Sequence, residues 1–381
     1  MSAHPLTGLV NEDRLIQLFK NLVMINAPAL AEREVVDWTK KYLEEIGIEC
    51  WEDNAGAEIG GNANNLIAKL PGNNPSAPKI YFSAHFDTVE PTAGLKIIER
   101  DGVFYSDGTT ILGADDKGGM APAIEALRIL KDSDEPRGDI YLLLSCAEEI
   151  GLKGAAALKI EDLNLDFGYV LDTGPPVGTF VTRTATHDKL DITITGKPAH
   201  AGKDPEKGIN AIQVAADAIS KMKIGRIGPE TTANLGVIEG GSATNVVCAQ
   251  VRIWAEARST NVEELDVQVD HMIGEFERAA REWKAEVSIN HVRHYDAYHV
   301  PDDAEVVTKA QTASAALGWN PVLRTTLGGS DANVYNQKGV PSIVVATGMD
   351  KIHTHEELIA RKDLMDLTKL CIQIALEVGK A

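Results

Sequence analysis

Five short stretches, NNLIAKL (64–70), KIYFSAH (79–85), DIYLLLSC (139–146), FGYVLD (167–172) and PSIVVATG (341–348), run almost continuously apolar instead of alternating. Each has strand length, and helical or turn-rich segments such as GGMAPAIEALRILK separate them. A strand that is apolar on both faces has to be covered on both, so the runs imply an α/β fold with a mixed, mostly parallel sheet between helices. Two amphipathic helices are expected ahead of the first strand. Asn11 can cap one that carries Leu15, Leu18, Phe19 and Leu22, and a second carries Val35, Trp38, Tyr42 and Ile46 before Gly47 stops it.

Between residues 183 and 298 the rhythm changes. KLDITITG alternates like a strand, EKGINAIQVAADAISKM reads as a helix, and NLGVIEGG and TNVVCAQVRIWAEA read as strands joined near Gly240 and Gly241. VEELDVQVDHMIGEFERAAREW is a long helix and EVSINHVRH a closing strand, which completes the order βαββαβ of a ferredoxin-like split βαβ unit. The earlier α/β style resumes after it. Residues 1–182 and 299–381 are therefore expected to form one domain, and 183–298 a second one inserted into it.

Composition narrows the partners. A net charge of −19 argues against a nucleic-acid surface, whose affinity comes from Lys and Arg on phosphates, but it suits metal cations. No window approaches the roughly 18 to 20 apolar residues of a membrane span, and the amino terminus lacks a basic flank followed by an apolar core, so a cytoplasmic protein without a membrane partner is expected. Cys50, Cys146, Cys248 and Cys371 are far apart and form no CxxC pair. Any metal here has to be held by nitrogen and oxygen.

The strand-like run 79–85 ends in His85, with Asp87 two residues on. Residues i and i+2 of an extended segment share a side, so the pair suits a metal-ligating imidazole oriented by a carboxylate behind it. Other apolar runs lead into similar groups: Asp115 and Asp116 in LGADDKGGMA, Glu148 and Glu149 after LLLSC, Asp172 in YVLDTG, and His353 and His355 in GMDKIHTHEE. So many carboxylates at one sheet edge repel one another unless a cation joins them. Imidazole and carboxylate without thiolate fit zinc, cobalt or manganese, and a carboxylate shared by two ions suits hydrolysis. Such a reaction needs a base that is not itself a ligand, and Glu148 and Glu149 could divide those tasks.

SAHFDT, GADDKGG, AEEIG, LDTG and the H-x-x-x-E of HTHEE occur in this order, and together they resemble the M20 metallopeptidases, in particular the peptidase T branch of tripeptide aminopeptidases. The resemblance covers nearly the whole chain. It implies two zinc ions bridged by Asp115, with His85 and Asp172 on one, Glu149 and His353 on the other, Glu148 as general base and Asp87 as the orienter of His85. His353 is preferred to His355 because Glu357 follows it by four residues. Asp116 is expected to cap the turn or to hydrogen-bond behind the ligands.

The inserted domain resembles the family's lid and dimerisation domain, which implies a homodimer in which His200 of GKPAHAG stabilises the oxyanion of a neighbouring subunit. Asn245, Arg258 and Ser330 of LGGSDAN correspond to substrate-contacting positions, Ser330 and Asp331 being alternatively a solvated turn. The chain departs from peptidase T proper in its lid motif, its metal loop and the missing arginine before the glycines of TTLGGSDAN. These departures bear on tripeptide specificity and leave the metal chemistry intact. The expected activity is removal of the N-terminal residue of short peptides, tripeptides foremost. A carboxypeptidase or aminoacylase-type amidohydrolase of the same superfamily is the alternative, and a non-catalytic metal-binding homologue a remote one.

Overall fold

The computed structural model describes residues 2–380. By internal packing the chain divides into two compact units: Met1–Thr182, Tyr298–Thr325 and Ser330–Ala381 form one, and Arg183–Ala297 with Thr326–Gly329 the other.

An eight-stranded sheet organises the first unit, in the order Glu49–Glu52, Leu66–Leu70, Ile140–Ser145, Ile80–His85, Phe167–Thr173, Ser342–Ala346, Thr179–Arg183, Val322–Thr325. Four neighbouring strands at its centre, those beginning at Ile140, Ile80, Phe167 and Ser342, run parallel. Every residue of the strands Ile80–His85, Ile140–Ser145 and Ser342–Ala346 is buried, as their unbroken apolar character requires. The helix Ala114–Lys131 passes the strand Phe167–Thr173 at close range. A Cβ on Gly119 would stand 2.4 Å from the Leu171 carbonyl oxygen, so only glycine lets the two backbones approach.

Asn11 caps the first helix, Glu12–Val23, accepting a hydrogen bond from the Arg14 amide. In the second, Arg33–Glu45, the fully buried stripe is Val35, Val36, Thr39 and Leu43. Trp38, Tyr42 and Ile46 sit one position around and are half-buried, Trp38 stacking on Tyr42 at 5.4 Å. A three-stranded sheet of Ile97–Arg100, Val103–Ser106 and Leu358–Ala360 was not expected, because its strands are only three or four residues long and partly exposed.

The second unit carries the strand Thr186–Thr195, the helix Ala211–Lys221, the strands Thr231–Gly240 and Gln250–Ser259, the helix Val262–Trp283 and the strand Glu286–Tyr295. These strands form one antiparallel sheet, to which the two-residue strand Gly225–Arg226 is added. The expected strand from Thr244 begins only at Gln250, and the residues before it, Asn245 included, form a loop. One core, built on Leu190, Ile192, Ile253, Val214, Met272 and Phe276, joins the sheet to both helices. Among the described residues no helix is long and apolar enough to cross a membrane.

Candidate metal centre

Parallel strands end at a common edge, and that edge gathers the titratable groups. His85 closes its strand with 2% of its surface exposed. Its Nδ1 donates to the Asp87 backbone carbonyl at 3.0 Å, and the Asp87 carboxylate stands farther off at 3.4 Å. The main-chain oxygen therefore does more to orient this ring than the expected side chain does. The Asp87 carboxylate is occupied elsewhere, accepting the Glu148 amide at 2.9 Å and the Glu149 amide at 3.1 Å.

Asp115 lies in the distorted first turn of Ala114–Lys131, where it and Asp116 depart from helical torsions. Its Oδ1 faces His85 Nε2 at 3.0 Å, and its Oδ2 faces His353 Nε2 at 3.2 Å. His353 Nε2 also stands 3.1 Å from Glu149 Oε2. Possible ligand atoms of His85, Asp115 and Glu149 lie within 4.8 Å of one another, and so do those of His85, Asp116 and Asp172. One Asp116 oxygen accepts the Gly119 amide at 3.1 Å, and the other faces the His85 amide at 3.3 Å.

His353 sits at φ 61°, a left-handed conformation that costs a non-glycine residue of order 1–2 kcal/mol. Glu357, four residues on, is buried. Its Oε1 accepts the Asp115 amide at 2.8 Å and its Oε2 the Gly113 amide at 2.7 Å, so it clamps the turn that carries Asp115. His355 points elsewhere, with Nδ1 on the Gly108 carbonyl at 3.0 Å and Nε2 against Glu90 at 2.7 Å. Lys117 was overlooked in the sequence, although it directly follows the acidic doublet. It is fully buried and donates to the Phe86 carbonyl, with Asp87, Asp115 and Glu357 around its ammonium group.

The electrostatics follow from burial. Desolvation, reinforced by neighbouring carboxylates, holds Asp116, Glu148 and Asp172 well above the usual carboxylate range. Burial alone would raise Asp115 too, but the bonds from His353 and His85 outweigh it and keep Asp115 low. The same contacts act on the imidazoles. His353 is pushed up to about 10 by Asp115 and then Glu149, while His85 is raised although burial opposes it. Two imidazolium groups thus neutralise the carboxylates, which is the work a pair of cations would do. Glu149 Oε1 is buried with no hydrogen-bond partner, so the donor set has spare capacity facing inward. These residues fit divalent metal ions.

Of the remaining expected positions, Ser330 belongs to the first unit and His200, Asn245 and Arg258 to the second. Ser330 is buried at the start of the helix Asp331–Gln337, where its side chain accepts the Ala332 amide, and Asp331 bonds Ser145. This segment is a buried helix cap, which rules out the solvated turn. Burial pushes Asp331 up to about 6. In the second unit, His200 and Asn245 are exposed neighbours, the Ala201 amide donating to the Asn245 carbonyl at 2.9 Å. The Arg258 guanidinium is held bidentately by Glu256 at 3.1 Å on each arm, and it reaches the Leu327 carbonyl at 3.3 Å.

Residues 81–377 match the model of peptidase family M20/M25/M40. The chain belongs to this family. It is similar, at 42% identity over 97% of its own length and 100% of the other chain, to the crystal structure of aminopeptidase PepT from Bacillus cereus, with a TM-score of 0.87. The structure of a tripeptidase from Staphylococcus aureus gives a TM-score of 0.93 at 38% identity, covering 98% and 100% of the two chains. An uncharacterized protein of Bacillus subtilis strain 168, YqjE, is 41% identical over 98% of this M20-family chain and all of its own.

Proposed function

We propose that this M20-family chain is a dinuclear metallo-aminopeptidase that removes the N-terminal residue of short peptides, tripeptides foremost. The observation that carries the reading is Asp115, whose two oxygens each face a different imidazole. His85 and Asp172 would share one ion with it, and Glu149 and His353 the other. Zinc suits these ligands, and cobalt or manganese could replace it. Bound there, such ions polarise a carbonyl and make water acidic enough to react near neutral pH. Glu148 takes a proton from the attacking water and passes it to the leaving amide nitrogen as the C–N bond breaks. Asp87 holds the Glu148 and Glu149 amides, so it sets base and ligand together. Peptide chemistry on Asn245, Arg258 and Ser330 follows from the resemblance. Since Glu256 already grips Arg258, a substrate carboxylate would have to share or displace it. The four free cysteines accord with a cytoplasmic setting.

The deciding experiment offers the metal-loaded protein a free tripeptide, its N-acetylated form and the corresponding dipeptide, with products identified by mass. Release of the first residue from the free tripeptide alone is expected. Cleavage of the acetylated peptide or the dipeptide instead would move the chain to the carboxypeptidase or amidohydrolase side of the family.

The proposal extends to a homodimer in which His200 serves the neighbouring subunit's oxyanion. It is supported by the outer edge of Thr231–Gly240, which pairs with Gly225–Arg226 only at Thr232 and Ala233 and exposes Val237 and Ile238 beyond them. Glu148→Ala and His200→Ala proteins, each inactive, should regain roughly a quarter of full activity when mixed and allowed to exchange subunits, because half the dimers then hold one intact site of two. No recovery in verified mixed dimers would remove the cross-subunit role.

A further inference from the structure

The turn that presents Glu148 and Glu149 has its successive amides held by side chains. The Cys146 amide donates to Asn65 Oδ1 at 3.0 Å, the Ala147 amide to Glu32 Oε1 at 2.9 Å, and the Glu148 and Glu149 amides to the two oxygens of Asp87. Asp87 lies two residues from His85, and Asn65 leads into the strand Leu66–Leu70. Glu32 belongs to no motif and comes from 115 residues away. The middle residue it holds, Ala147, has φ 53°, so the turn is kept in a left-handed conformation that an alanine does not choose unaided.

Glu32 itself is placed unusually. It stands at the N-cap of Arg33–Glu45, yet its side chain makes no capping bond to that helix. It is 0% exposed, its Oε1 also accepts the Leu30 amide at 3.0 Å, and its Oε2 is buried without a partner. A half-satisfied buried carboxyl is costly to a fold, and an apolar residue or an N-cap serine would serve stability better. The feature that accounts for it is the Ala147 amide.

We propose that Glu32 is a positioning residue for the hydrolysis: by holding the Ala147 amide it sets the direction in which Glu148 and Glu149 leave the turn. The inference rests on the reading of Glu148 as base and Glu149 as ligand. A glutamine keeps an accepting oxygen at the same reach, so it should hold the Ala147 amide as Glu32 does.

The test uses the full chain with and without zinc, and the variants Glu32→Ala, Glu32→Gln, Glu148→Ala and the double variant Glu32→Ala/Glu148→Ala. Displacing the base by a fraction of an ångström should lower kcat about ten- to a hundredfold in Glu32→Ala while KM stays within about threefold. Hydrogen exchange followed by mass spectrometry should show lost protection confined to the peptide containing residues 146–149, in the metal-free protein as well. Glu32→Gln should restore both, and on the Glu148→Ala background Glu32→Ala should cost little more, because the two act through one group. Should Glu32→Ala not fold, Glu32→Asp, one methylene too short to reach the amide, is read by the same criteria. Unchanged kcat per metal-loaded molecule, unchanged exchange at 146–149, or full additivity on Glu148→Ala overturns the proposal. If Glu148→Ala itself retains turnover, the base assignment has failed instead.

Discussion

Glu148→Ala should lower kcat by about 10²- to 10⁴-fold, the range a single general base supplies, or roughly 3 to 5 kcal/mol of barrier, with metal content unchanged. The separation of the two effects follows from geometry. Neither ligand group includes Glu148, whereas Glu149, its neighbour, lies in one of them. The backbone amides of both are fixed by one Asp87 carboxylate, so truncating the Glu148 side chain leaves the turn in place. Without metal, burial first and then Asp172, Asp331 and Glu149 raise Glu148 well above the usual carboxylate range. Cations beside it reverse that sign, stabilising the carboxylate and bringing it into working range. Activity of the loaded parent should then fall as pH drops through the pKa of Glu148, and that acidic limb should be absent from the residual rate of the alanine variant. Steady-state kinetics with metal analysis on the same samples decide it, and near-parental turnover would show the base to be misassigned.

The sequence makes the strand-end histidine and carboxylates visible because one physical rule puts them there. A strand buried on both faces is continuously apolar, so the first polar residue after it marks the edge of the sheet. His85 and Glu148 stand out for that reason. The H-x-x-x-E spacing singles out His353, and its physical basis appears only in three dimensions: Glu357 clamps the Gly113 and Asp115 amides, while His355 is turned toward Gly108 and Glu90. Groups that work through the backbone leave no such trace. Glu32 reads as one more carboxylate ahead of a helix and Lys117 as one charged residue among several, and the Asp87 backbone carbonyl, which takes the His85 Nδ1–H at 3.0 Å beside its carboxylate, is not marked by any side chain. Short strands such as Ile97–Arg100 escape for a different reason, since four residues, two half-buried and two exposed, carry too little periodicity to separate strand from turn.

Asp115→Asn should weaken metal binding enough that the metal is lost on gel filtration, and activity with it. An aspartate faces two imidazoles at 3.0 and 3.2 Å through two equivalent anionic oxygens, and asparagine can offer only one neutral acceptor. Loss of a partner behind a ligand weakens metal binding by about 10- to 100-fold, and loss of a shared ligand should exceed that. The same substitution should change the protons exchanged. In the metal-free parent His353 holds its proton up to about pH 10, with Asp115 the main cause and Glu149 the second, and His85 is raised too. Imidazole must be neutral to ligate, so metal uptake at pH 8 expels protons, and affinity should rise with pH until His353 has titrated. In Asp115→Asn the principal partner is gone and His353 titrates lower, so whatever metal still binds should expel fewer protons. Calorimetry in two buffers of different ionisation enthalpy measures that number directly, alongside metal content after gel filtration. An asparagine variant that keeps its full metal complement, or a parent that releases no protons on loading, would separate Asp115 and His353 from the metal and return this cluster to an ordinary buried ion pair.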